Sequence, residues 1–139
     1  MMKKKMNNKG FTLMELIIVV AILAILIALI APNLVGFIDS ASQTALDGNA
    51  KSCYTAASAW ATQERIDGIK VKGTVTATSE GVTAGSDFEP TTADTTALAE
   101  ALNTGGFAQN SEAKITFDGG KCTKVEWTDG TDSATYPKK

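Results

Sequence analysis

Residues 16–31 are sixteen consecutive positions filled only by Ala, Val, Ile or Leu. Extended back to Phe11, the apolar stretch reaches membrane-spanning length and carries a single charge, Glu15. A helix apolar on every side suits lipid or the interior of a helical assembly. Pro32 follows, and it lacks a backbone donor, so the pattern predicts a kink or loosened turn there. Beyond it the spacing becomes amphipathic. Leu34, Ile38, Ala41 and Ala45, then Leu46, Ala50, Cys53, Ala57 and Trp60, recur at intervals of three and four. Asp39, Ser42, Gln43, Asp47, Lys51 and Ser52 take the other faces. One long helix over residues 11–66 is predicted, with Asp67-Gly68 as its stop, because glycine accepts the left-handed conformation of a C-terminal cap.

The period then shortens to two. Ile69, Val71, Val75 and Ala77 alternate with Lys70, Lys72, Thr74 and Thr76, which predicts a half-buried strand with Gly73 as a bulge. Residues 79–91 are polar and broken by Gly81, Gly85 and Pro90, the composition of a loop. Thr92 or Asp94 caps a short helix holding Leu98, Ala101 and Leu102, closed by Gly105-Gly106. Residues 113–117 and 123–127 flank Asp118-Gly119-Gly120-Lys121, a hairpin signal. Its register has two forms. A two- or four-residue turn sets Cys122 opposite Phe117 and faces both inward. A three-residue turn pairs Asp118 with Cys122 and sends Val125 and Trp127 inward instead. Residues 128–139 read as irregular. The fold class is therefore α+β: a long N-terminal helix, kinked at Pro32, packed against a small antiparallel sheet.

Charge orients this plan. Lys3, Lys4, Lys5 and Lys9 precede the apolar run without an acid among them, which places the N-terminus in the cytoplasm and the rest outside. Removing the first ten residues takes away four of the 13 lysines and arginines and none of the 15 acids, leaving a formal charge of −6. An acidic chain of this kind does not present a nucleic-acid surface, and the lysines 70, 72, 121 and 124 read as a solvated strand face. The chain has no histidine. A His-based triad is excluded, no phosphate-binding glycine loop is present, and the sequence is not that of an enzyme. No cofactor is implied.

The feature to explain is an acid inside an apolar stretch. At the centre of a spanning helix it costs about 2.5–3.5 kcal/mol, and less near an end. Lys9-Gly10-Phe11-Thr12-Leu13-Met14-Glu15-Leu16, followed by the apolar run and Pro32, resembles the prepilin signature of type IV pilins and their pseudopilin relatives. The resemblance implies a cytoplasmic leader over residues 1–10, cut between Gly10 and Phe11 by a membrane peptidase. It implies N-methylation of the new amino group of Phe11. It also implies an anchor and filament-core helix over residues 11–31, an outer helix half over residues 32–66 and a head over residues 69–139. Glu15 would face the ammonium of Phe11 on a neighbouring subunit, fixing axial register as a buried polar group does in a coiled coil. Many relatives carry a glycine where Ala24 stands, and alanine keeps that turn helical.

The resemblance implies a structural subunit that polymerises with itself, served by a prepilin peptidase and methyltransferase and a pilus assembly platform. It would sit in the cytoplasmic membrane first and in an extracellular pilus later, acting in adhesion, motility or biofilm formation. The alternative within the resemblance is a pseudopilin of a type II secretion or DNA-uptake machine. Two side-chain groups remain. Cys53 and Cys122 in an exported head suggest a disulfide, worth roughly 4 kcal/mol in the chain-entropy account, against the alternative of two buried thiols. Glu126, Asp129 and Asp132 around Gly130 loosely resemble the calcium loop of secretion pseudopilins, although Asp-Gly-Thr-Asp is first a turn sequence.

Overall fold

The structure is a computed structural model that describes residues 9–138. The leader lysines 3, 4 and 5 lie outside the described residues. The described chain runs through helix α1 (Leu13–Ile66), strands β1 (Gly73–Thr78) and β2 (Gly81–Ala84), helix α2 (Thr95–Leu102), a 3₁₀ turn (Thr104–Gly106), and strands β3 (Glu112–Asp118), β4 (Lys121–Thr128) and β5 (Ser133–Tyr136). It divides into two units, Met1–Asp39 and Ser40–Lys139. The α+β class and the antiparallel sheet are as expected.

In the first unit α1 passes through Ala24 and Pro32 without interruption. The large apolar side chains from Leu13 to Ile38 are 48–75% exposed. This helix is long and apolar enough to cross a membrane by length and composition.

The second unit is a five-stranded antiparallel sheet in the order β2-β1-β3-β4-β5, with α1 contributing Leu46, Ala50, Cys53, Ala57, Trp60 and Ala61 to its core. The buried stripe therefore starts at Leu46. Leu34, Ile38, Ala41 and Ala45, expected to continue it, are exposed. Helical spacings counted from Leu46 toward the N-terminus reach Gln43 and Asp39, so the face that packs at Leu46 turns polar there. The compact unit begins at Ser40. The helix ends as predicted: Gly68 has φ +87°, and Gly68 N–H donates to the Arg65 carbonyl.

The β3–β4 hairpin takes the two-residue turn, with Cys122 opposite Phe117 and both inward, and then adds a bulge. Asp118 pairs with Lys121 and Phe117 with Cys122 around Gly119-Gly120, both at positive φ as a tight primed turn requires. Between Phe117 and Thr116 the register then shifts, so Thr116 pairs with Lys124, Ile115 with Val125 and Ala113 with Trp127. Thr123 is the extra residue, and its hydroxyl donates to the Thr116 carbonyl at 3.1 Å. A bulge reverses the facing of every residue beyond it. Cys122, Val125 and Trp127 are thus all buried, which a continuous ladder could not achieve.

Two strands fall where loops were expected. β2 returns on β1 through Ser79-Glu80, pairing Thr78 with Gly81 and Ala77 with Val82. β5 pairs with β4, setting Ala134 opposite Trp127 and Tyr136 opposite Val125. The tail is tied to α1 twice. Tyr136 meets Tyr54 edge-on at 5.0 Å between ring centres, and Lys138 pairs with Asp47. The Lys138 ammonium, bonded to the Asp47 carboxylate, holds that carboxyl below its ordinary range. Gly73, at φ +102°, has no room for a side chain: a Cβ there would lie 2.1 Å from the Asp87 carbonyl oxygen.

Asp94 caps α2 as predicted. Its Oδ1 accepts the N–H groups of Thr96 and Ala97, both at 3.0 Å. Leu98 and Leu102 are buried, Ala101 is exposed, and the helix closes at Asn103 in the left-handed conformation, ahead of the glycines. At the centre of the core Phe117 meets Trp60 (5.4 Å) and Phe88 (6.3 Å) edge-on.

Candidate functional site: the N-terminal assembly motif

Lys9, Gly10, Phe11 and Thr12 precede the first helical residue and are exposed, Phe11 at 89%. The space around Gly10 is open: a side chain at that position would meet no heavy atom within 4 Å of its Cβ. Gly10 and Phe11 are thus both exposed at the start of the described chain.

The helix opens on a reciprocal pair. Thr12 carbonyl accepts the Leu16 N–H at 3.2 Å, so Thr12 is the N-cap. Its hydroxyl accepts the Glu15 N–H at 3.3 Å, and Glu15 Oε2 accepts the Thr12 N–H at 3.0 Å. Two donors of the first turn are satisfied this way, as in a capping box. A carboxylate at this end also faces the positive pole of the helix. Glu15 therefore has a partner within its own chain. Sequence reasoning missed the role of Thr12, although the Thr-x-x-Glu spacing signals it.

The motif does not include Pro32, seventeen residues beyond Glu15 and exposed within α1. Nor do the other candidates join it. Cys53 and Cys122 are both buried and both free, so the expected disulfide is absent. The Cys122 sulfur lies 4.0 Å from the Lys124 carbonyl and within reach of the Ser58 hydroxyl. Burial, together with the charge Cys122 would carry, pushes the Cys53 thiol up to about 11. Burial pushes the Cys122 thiol up to about 11 as well, against the opposing Lys124 and Ser58 bonds. Thiolate is the nucleophile, so both groups are inert near neutrality. In the native chain at pH 8 neither cysteine should be alkylated by iodoacetamide on the timescale that labels a free thiol. Denaturation without reductant should expose two. Rapid native labelling, or no thiol after denaturation, would contradict the buried dithiol.

The acidic tail loop is already engaged. Asp129 Oδ1 accepts the N–H groups of Thr131 (2.9 Å) and Asp132 (2.8 Å), and these bonds hold its carboxyl below the usual range. Glu126 pairs with Lys124 at 2.6 Å. Among the described residues no three acids, cysteines or histidines converge on a common point, so Glu126, Asp129 and Asp132 do not form the calcium candidate's ligand set.

A family model matches the same end of the chain. Residues 5–31 match the prokaryotic N-terminal methylation motif. Over 50 residues the chain is 48% identical to the type IV major pilin protein PilA of Myxococcus xanthus (strain DK1622), a stretch that covers 36% of this chain and 23% of that relative. No solved structure matches significantly. Both sequence matches bear out the resemblance to type IV pilins carried by residues Lys9 to Leu16.

Proposed function

We propose that the chain is the structural subunit of a type IV pilus. It inserts in the cytoplasmic membrane with its N-terminus inside, loses residues 1–10, is N-methylated at Phe11 and polymerises by packing of α1. The observation that carries this reading is the juxtaposition at the start of α1. An exposed Gly10–Phe11 junction stands directly before a capped helix whose apolar side chains are exposed, and the methylation motif coincides with it. Transfer from lipid to a helix bundle gains little hydrophobic energy, so close packing and polar pairing must favour the filament. Cleavage supplies the cation that Glu15 lacks, the Phe11 ammonium. The partners are further copies of the chain, the peptidase and methyltransferase, and the assembly platform. Adhesion, motility or biofilm formation would be the task of the finished filament.

The test is intact-mass and N-terminal peptide analysis of material sheared from the cell surface. Abundant protein beginning at methylated Phe11 is the expected result. Processed protein that stays in the membrane, with none sheared, would point to a pseudopilin of a secretion or uptake machine. An intact N-terminus would overturn the processing itself.

A further inference from the structure

A cleft of about 450 Å³ lies in the second unit, between α1 and the segment that runs from the end of α2 to β3. Asn49 and Ser52 of α1 line it, together with Asn103 and Ser111 of the connecting segment. No acidic or basic side chain takes part in the lining. None of the four polar side chains makes a hydrogen bond among the described residues. Ser111 is nevertheless only 5% exposed.

Two aromatic rings complete the lining. Phe107 and Trp127 meet edge-on, with 4.7 Å between ring centres. Trp127 is 6% exposed, and its Nε1–H is a buried donor left without a hydrogen-bond acceptor among the described residues. The other core indole, Trp60, gives its N–H to the Asp94 carbonyl at 3.1 Å. A buried donor normally finds a partner, and an aromatic ring is a weaker acceptor than oxygen. The lining restricts what could supply one. An ion would find no opposite charge. An apolar molecule would strip water from the amides and hydroxyls and give them nothing in exchange. A neutral molecule with several hydroxyls offers both donors and acceptors, which amide and hydroxyl side chains match. Its C–H face can lie on the rings. Ligand clefts commonly measure ~300–1,000 Å³, so a molecule of one small ring is accommodated.

We propose that this cleft binds a neutral monosaccharide, its ring face against Phe107 and Trp127 and its hydroxyls on Asn49, Ser52, Asn103 and Ser111. Phe107 is only partly buried against the core. A small outward turn of its ring would open the Trp127 N–H to a sugar oxygen, so the unpaired donor gains an acceptor when the cleft is filled. The groove along β5 does not offer this chemistry, because Lys124 and Lys138 line it and each is paired with an acid. The site lies within the head and does not depend on the filament reading.

Titration of the isotope-labelled full chain, followed by nuclear magnetic resonance in a detergent without a sugar headgroup, tests the site. The probes are glucose, galactose and N-acetylglucosamine, with glucuronate as the charged comparison. With at least one neutral sugar the Trp127 indole N–H and the Ser111 amide should shift saturably, the indole resonance moving downfield as it gains an oxygen acceptor. Ser52→Leu puts an apolar side chain into the cleft from an exposed helical position. It should raise the half-saturating concentration about tenfold or more. Lys51→Leu adds the same side chain outside the cleft lining and should leave the titration unchanged. Shifts that stay linear with all three neutral sugars overturn the site. So does a Ser52→Leu titration that matches the wild type. Tighter binding of glucuronate than of glucose overturns the assignment to a neutral ligand.

Discussion

Replacing Glu15 by alanine should leave the chain in the membrane and remove filaments from the cell surface. Insertion becomes easier, because an acid near the end of an apolar helix carries a cost that alanine does not. Assembly loses the group that would meet the Phe11 ammonium of the next subunit. Leaving one member of a buried charge pair alone costs about 3–5 kcal/mol. A loss of ~1.4 kcal/mol is already tenfold in an equilibrium, so the sheared yield should fall by more than tenfold. The capping box offers a competing explanation, since alanine also removes the acceptor of the Thr12 N–H. Glu15→Gln separates the two. Glutamine can still close the box but carries no charge. If charge pairing drives assembly, the glutamine variant should fail as alanine does. Normal yield from glutamine would assign the effect to the cap. The measurement is the ratio of sheared to membrane-bound protein, quantified by immunoblot.

The parts of this chain that sequence made legible are those whose physics is local. The apolar run after Glu15, the stop at Gly68 and the turn at Gly119-Gly120 each depend on neighbours a few residues away, and all three stand where the pattern put them. The start of α1 was legible for the same reason, although Thr12 is easily overlooked beside Glu15. What escaped depends on distant residues. β2 has Val82 as its large apolar residue, and β5 alternates over only four residues; each becomes a strand because β1 or β4 offers an open edge. The hairpin posed a choice between burying Cys122 and burying Val125 with Trp127. The bulge at Thr123 answers that choice only in the presence of a core that wants all three. The exposed stripe from Leu34 to Ala45 kept a helical period but was one residue out of phase with Leu46, and phase is set by the sheet that packs on it. Likewise, a pair of cysteines specifies the possibility of a cross-link, while the surroundings of the two sulfurs are set by the packed core.

Phe117→Ala should lower the melting point of the head sharply while leaving the N-terminal chemistry untouched. The ring is 1% exposed and is held edge-on by Trp60 and Phe88, one from α1 and one from the segment after β2. Removing a buried phenylalanine costs about 3–5 kcal/mol when the cavity cannot collapse. Collapse is hindered here, because the neighbouring positions on β1 and β4, Gly73 and Cys122, are fixed by a closed contact with Asp87 and by the bulge. A domain of this size has roughly 5–15 kcal/mol in total, so a large share of the margin is at stake. The midpoint of thermal unfolding, followed by the fluorescence of Trp60 and Trp127, should fall by about 15 °C or more. The first unit shares no buried residue with that core, since burial on α1 starts at Leu46. Membrane insertion and cleavage after Gly10 should therefore proceed at the wild-type rate in Phe117→Ala, and the processed subunit should then be lost to proteolysis before it reaches a filament. Glu15→Ala should do the opposite: the head melts normally and the filament never forms. If Phe117→Ala stops cleavage at Gly10, or Glu15→Ala lowers the melting point of the head, the two units do not act independently and the division of labour between motif and head is wrong.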